Sequence, residues 1–139
     1  MKNQRAVPPN DAAESKTRPP VSVGHVTLTV SNVAAAFDYY RGLGLRPVMK
    51  REELSILELR GGTHLLLFRA EGKPEPGPVG TFDFMVDDIE SFHASLEKAG
   101  VTVTSVGEDT IAGHLWFEVT DPDGHVVKVF SSHTEGRPV

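Results

Sequence analysis

The feature that most constrains this chain is an internal repeat. Gly24-His25-Val26-Thr27-Leu28-Thr29-Val30-Ser31-Asn32-Val33 lies over Gly80-Thr81-Phe82-Asp83-Phe84-Met85-Val86-Asp87-Asp88-Ile89, and the match runs ungapped to Gly44-Leu45 over Gly100-Val101. The later parts match as well. Ile56-Leu57-Glu58-Leu59 lies over Trp116-Phe117-Glu118-Val119, and Gly62-Thr63-His64-Leu65-Leu66-Leu67-Phe68 over Gly124-His125-Val126-Val127-Lys128-Val129-Phe130. A repeat fixes the architecture before any single residue does, because both copies form the same supersecondary unit. At 139 residues the chain has room for one domain built from two such modules around a shared core.

Each copy reads βαβββ, so the fold class is α+β. In the first, residues 24–30 alternate strictly as a strand. Ser31 or Asn32 caps a helix whose Val33, Phe37 and Tyr40 share one face, and Gly42 and Gly44 end it. Strands follow at 46–51, 54–60 and 64–69. In the second, the predicted strands are 81–86, 101–106, 114–120 and 126–131. Its helix starts at Asp87 with Glu90 as a capping box and buries Ile89, Phe92 and Leu96 up to Gly100. The resulting organisation is a tail at 1–20, a first module at 21–70, a Pro/Gly connector at 71–79, a second module at 80–133 and a short tail at 134–139. Pro8, Pro9, Pro19 and Pro20 among scattered charges make the first tail flexible or extended.

Strand parity then assigns faces. Val26, Leu28, Val30, Leu65 and Leu67 point to the helix side, as do Phe82, Phe84, Val86, Leu115, Phe117, Val119, Val127 and Val129. The opposite face is mixed. It carries His25, Glu58, His64, Leu66 and Phe68 in the first module, and Thr81, Asp83, Met85, His114, Trp116, Glu118, Lys128 and Phe130 in the second. An apolar concavity with a few polar groups has the composition of a small-molecule site. Trp116, Phe68, Met85, Phe130 and His114 either stack on a planar ligand or pack as core. Lys128, Glu118 and Asp83 either neutralise one another as an internal ion pair or form an acid/base or ligand-selecting set. His93, His125 and His133 fall on an exposed helix face, a turn and a tail, and are assigned no role.

Composition removes several classes. A net charge of −5 gives no basic footprint for nucleic acid. No apolar run approaches the roughly 20 residues that cross a bilayer, and the first residues lack a signal-peptide core. With zero cysteines there are no disulfides, thiolate metal sites or cysteine nucleophiles, which fits a cytoplasmic location.

Paired βαβββ units, a first strand of the form Gly-His-Val-Thr-Leu-Thr-Val and the turn Asp121-Pro122-Asp123-Gly124-His125 before the last strand together resemble the vicinal oxygen chelate superfamily. This is the glyoxalase I, bleomycin resistance protein and extradiol dioxygenase group, and the resemblance covers residues 21–133. It implies two modules whose curved, half-barrel-like mixed sheet surrounds a cleft, with helices outside. It also implies a homodimer with sites at the subunit junction. The superfamily's metal ligands stand at the start of the first strand and the middle of the fourth strand of each module. Those positions hold His25, Leu66, Thr81 and Lys128 here. Leu66 has no donor, and Lys128 puts a cation where the family usually has a glutamate. The usual metal site is therefore expected to be lost, with no cofactor.

Two functions follow as expectations. One is a metal-independent binder of a small aromatic or polar metabolite, lined by His25, His64, Phe68, Asp83, His114, Trp116, Glu118, Lys128 and Phe130. The other is a lyase, epimerase or dioxygenase. It would use either metal-free acid/base chemistry by His25, Glu118 and Lys128, or a displaced divalent metal on His25 and His64 with Glu58 or Glu118.

Overall fold

Strict alternation in the first strand produces a strand buried on one side only, and the rest of the first module assembles on it. The computed structural model describes residues 16–111 and 113–139; the part of the predicted tail at 1–15 lies outside them. Among the described residues there are two α-helices, one short 3-10 helix (Arg60–Gly62) and nine strands. The first module contains β1 (His25–Val30), α1 (Val33–Gly42), β2 (Arg46–Met49), β3 (Leu54–Glu58) and β4 (His64–Arg69), in the sheet order β1-β4-β3-β2. The second contains β5 (Gly77–Pro78), β6 (Phe84–Val86), α2 (Ile89–Lys98), β7 (Gly107–Glu108), β8 (Leu115–Thr120) and β9 (His125–Ser131). Its sheet runs β5-β9-β8-β7, with β6 also pairing with β9, and curls into a half-barrel.

Face assignments follow parity. Val30, Leu65, Leu67, Phe117, Val119, Val127 and Val129 are fully buried beneath the helices, with Leu28 and Phe84 nearly so. Both modules contribute to one hydrophobic cluster, joined by Tyr40, Phe37 and Val33 of α1 and Leu96 of α2. Asn32 caps α1 by accepting from the Ala35 backbone N–H. Asp88, not Asp87, caps α2 by accepting from Ser91 N–H. Asp87 is instead drawn to the Arg60 guanidinium, 3.2 Å away.

Three local expectations need correction. Residues 101–106 do not form a strand. Only Val103 bridges to Val119, and strand pairing resumes at Gly107. The Pro/Gly connector is more than a connector, because Gly77 and Pro78 pair in parallel with His125 and Val126. Finally, the predicted strand at 81–86 keeps only Phe84–Val86. Pro78 lies opposite Val126 and Phe84 opposite Val129, so six steps on one strand span three on the other. The surplus leaves the ladder as an excursion carrying Thr81 and Asp83.

The modules are tied by long-range polar bonds. Tyr40 Oη donates to Asp121 Oδ2 at 2.8 Å. The other Asp121 oxygen accepts from the backbone N–H groups of Asp123 and His125, both at 2.9 Å. His125, expected to be a bystander in a turn, is 7% exposed and donates from Nε2 to the Thr29 carbonyl at 2.8 Å. Ser31 donates from its backbone N–H and hydroxyl to the Asp123 carboxylate. Burial raises the Tyr40 phenol well above its ordinary pKa, and the Asp121 carboxylate adds to the shift.

Candidate functional site

The open face of the first sheet brings two histidines together. β1 and β4 run parallel in register, so His25 pairs with His64 and their rings lie 6.2 Å apart. β3 runs antiparallel to β4 and sets Glu58 beside His64. Glu58 Oε2 lies 3.3 Å from His64 Nε2. Its Oε1 accepts from the Arg46 guanidinium, with Nε at 2.8 Å. The Arg46 bond, and then the His64 contact, hold the Glu58 carboxyl below its ordinary pKa. Arg46 was not among the predicted site residues, although a signal existed. Arg46 and Glu58 lie equally far on either side of Glu52, so a symmetric hairpin pairs them.

The second sheet's open face gathers a different set. Trp116 and Phe130 are cross-strand partners with ring centroids 6.5 Å apart. Glu118 stands opposite Lys128 in the ladder, yet among the described residues no carboxylate reaches ion-pair distance of Lys128. The expected internal ion pair with Glu118 or Asp83 is not formed. Instead the ammonium lies over the Trp116 ring, 5.1 Å from its centroid, a cation–π contact. Lys128 is exposed, so water and the indole face suffice for its charge. Trp116, Lys128 and Phe130 line a cavity of about 420 Å³ together with Glu108, Asp109 and Thr110. His114 packs edge-on to Phe130 and stacks on His133 at 3.8 Å. His133 was assigned no role because a residue beyond the last strand has no parity to place it.

The remaining predicted residues lie elsewhere. Phe68 is 39% exposed at the far end of β4, beside a groove shared with Glu53, Leu54 and Arg69. Asp83 and Thr81 line a cavity of about 540 Å³ at the junction of the two modules. The predicted constellation is thus spread over four places: His25, His64 and Glu58 on the first sheet, Phe68 at the far end of β4, Trp116, Glu118, Lys128, Phe130 and His114 on the second sheet, and Asp83 at the junction.

Among the described residues no group of three His, Cys, Asp or Glu side chains is placed to hold a metal ion. Both Glu58 oxygens are already engaged. Glu118 lies on the other sheet from His25 and His64. Leu66 offers no donor, and Thr81 has left the ladder. These residues do not fit a divalent cation. No helix among the described residues is long and apolar enough to cross a membrane.

Comparison with known proteins agrees with the fold. No curated protein matches the chain. Among solved structures, an integron cassette protein from the mobile metagenome of the Halifax Harbour sewage outfall superposes with a TM-score of 0.69 at 20% identity, covering 80% of this chain and 98% of the other. Lactoylglutathione lyase from Agrobacterium tumefaciens gives 0.67 at 24% identity, covering 86% and 99%. A bleomycin resistance determinant encoded on transposon Tn5 gives 0.63 at 18%, covering 81% and 99%. These likenesses carry the fold. The sequence profile of the Glyoxalase/Bleomycin resistance protein/Dioxygenase superfamily matches residues 22–129. The chain belongs to the glyoxalase/bleomycin resistance protein/dioxygenase superfamily.

Proposed function

We propose that this chain is a metal-independent small-molecule-binding member of its superfamily, taking a planar aromatic or polar metabolite on the open face of the second sheet. One observation carries this reading. Lys128, at the position where the resemblance places a metal-binding carboxylate, lies over the Trp116 ring and has no carboxylate partner among the described residues. A lysine ammonium brings three donors and a positive charge, which suit a ligand carboxylate, phenolate or carbonyl. Trp116 and Phe130 supply the apolar wall. Leu66, at the repeat-equivalent position of the first sheet, gives no competing metal donor. The exposed apolar side chain Phe68 supports a homodimer that would cover part of the first sheet's open face.

The test uses the only tryptophan, Trp116. An aromatic carboxylate that binds here quenches its emission, and Lys128→Met weakens that binding about tenfold, the loss of one charge-assisted contact. Metal analysis after incubation with zinc, manganese or nickel should give no stoichiometric ion, and Lys128→Glu should not create tight metal binding. Stoichiometric metal that is lost on His25→Ala or His64→Ala would overturn the reading.

A second reading rests on the His64–Glu58 contact of 3.3 Å with His25 alongside. Glu58 orients one nitrogen of His64 and leaves the other for proton transfer, an arrangement suited to metal-free acid/base chemistry. Substrate turnover abolished by His64→Ala and unchanged by chelators would favour it.

A further inference from the structure

The junction cavity of about 540 Å³ shares no lining residue with the cavity at Trp116. Its walls come from Val23 and Val26 of the first module, the turn at 59–63, residues 81–85 of the second, and Val139. The excursion in the second module builds it. Where the first module runs β1 unbroken along β4, the second spends surplus residues, and these carry Thr81, Phe82 and Asp83 to the junction. The apolar surface is supplied by Val26, Leu59, Phe82, Phe84 and Met85. Met85 is 50% exposed and Val23 63%, high for large apolar side chains at a cavity mouth. The volume lies in the range of cavities that hold small organic ligands.

Charge decides the ligand's sign. The cavity has one cationic side chain, Arg60, and it is committed to Asp87, with Nη2 to Oδ2 at 3.2 Å and Nη1 to Oδ1 at 3.4 Å. Asp83 has no hydrogen-bond or ion-pair partner among the described residues. The lining side chains therefore offer one uncompensated negative charge, Asp83, beside an apolar wall. We infer that this cavity is a binding site for a hydrophobic amine, its ammonium on the Asp83 carboxylate and its apolar body against Val26, Phe82, Phe84 and Met85. An anionic amphiphile meets Asp83 directly and must displace Asp87 to reach Arg60. A neutral one leaves Asp83 unused.

Octylamine, octanol and octanoate share one apolar chain and differ in charge. Their binding to the full chain is measured by calorimetry, with the Met85 methyl resonance as the local reporter and Trp116 emission as the control for the other cavity. Octylamine should bind about tenfold tighter than octanoate, the value of one charge-assisted contact. All binding should perturb Met85 and leave Trp116 emission unchanged. Asp83→Asn should reduce the amine preference to about onefold while octanol binding persists, which also shows that the variant is folded. Equal or tighter binding of octanoate, an Asp83→Asn variant that keeps the preference, or probes that quench Trp116 instead would each overturn the inference. So would failure of every probe to bind while Met85→Lys dissociates a dimer, since a second copy would then cover the mouth. Because Trp116 reports the second-sheet face and Met85 the junction, failure at one site is read independently of the other.

Discussion

The two modules descend through the same pattern and differ most where they meet. In the first, β1 pairs with β4 over six consecutive residues, and the turn before β4 is a short 3-10 helix at Arg60–Gly62. In the second, the equivalent strand is broken, and the turn before β9 is built on a buried carboxylate. The repeat sets Tyr40 over Leu96, and counted back from the Gly62–Gly124 match it sets Leu59 against Asp121. The phenol–carboxylate bond joins the first module's helix to the second module's turn, whereas the reverse pair, Leu96 on the second module's helix and Leu59 at the first module's turn, is leucine at both positions, within or against the core. Module-to-module contact in this fold is polar on one side of the pseudo-symmetry and apolar on the other. A polar pair demands a specific geometry, whereas packed leucines tolerate rearrangement.

The sharpest way to break this comparison is Asp121→Ala. The carboxylate is 6% exposed and Tyr40 is fully buried, so its removal strands a phenol and two backbone N–H groups. A loss of about 3 kcal/mol or more in urea denaturation is expected, and Tyr40→Phe in the same chain should recover part of it. The mirror change Leu59→Ala should cost about 1–2 kcal/mol, since that leucine is only partly buried. Equal costs would mean that the buried carboxylate is dispensable.

The glycines of the two turns give a smaller contrast. Gly124 has φ +85° and a Cβ added there would stand 2.9 Å from Pro76 Cβ, so the turn closes directly on the connector. Gly62 has φ +90° with open space around it. Gly62→Ala carries the left-handed penalty alone, about 1–2 kcal/mol, and Gly124→Ala should exceed it by about 1 kcal/mol of overpacking. Thermal or urea melts of the two variants side by side measure the difference.

The smallest effect concerns pH. Glu58 titrates below its ordinary value of 4.5 because of Arg46 first and His64 after it. A carboxyl depressed by folding stabilises the fold above the unfolded value, and that contribution is lost as pH falls through the folded one. Arg46→Ala should raise the Glu58 midpoint toward 4.5 in a carboxyl NMR titration. Global stability should barely change, because the Arg46 side chain is 76% exposed. The second sheet has no such contact, since Glu118 has no cationic partner within ion-pair distance among the described residues.

Much of this molecule was legible before any coordinates. The repeat determined two βαβββ modules, and alternation told which side of each strand meets a helix, because side-chain direction in a strand is a local property of the backbone. That logic correctly turned His25, His64, Lys128 and Trp116 to the open side. It misplaced elements wherever pairing overrides local preference. Residues 101–106 look like a strand but find a ladder partner only at Val103, and Gly77–Pro78 look like a linker but meet the free edge of β9. Partnership was the part only the tertiary structure decided. Tyr40 and Asp121 are 81 residues apart, His125 reaches Thr29 across 96, and nothing local marks either bond. Parity likewise put Lys128 beside Glu118 and suggested a pair, whereas packing gave its ammonium the face of Trp116. Side-chain faces follow from a two-residue period, but the meeting of charges follows from how two sheets settle against a shared core.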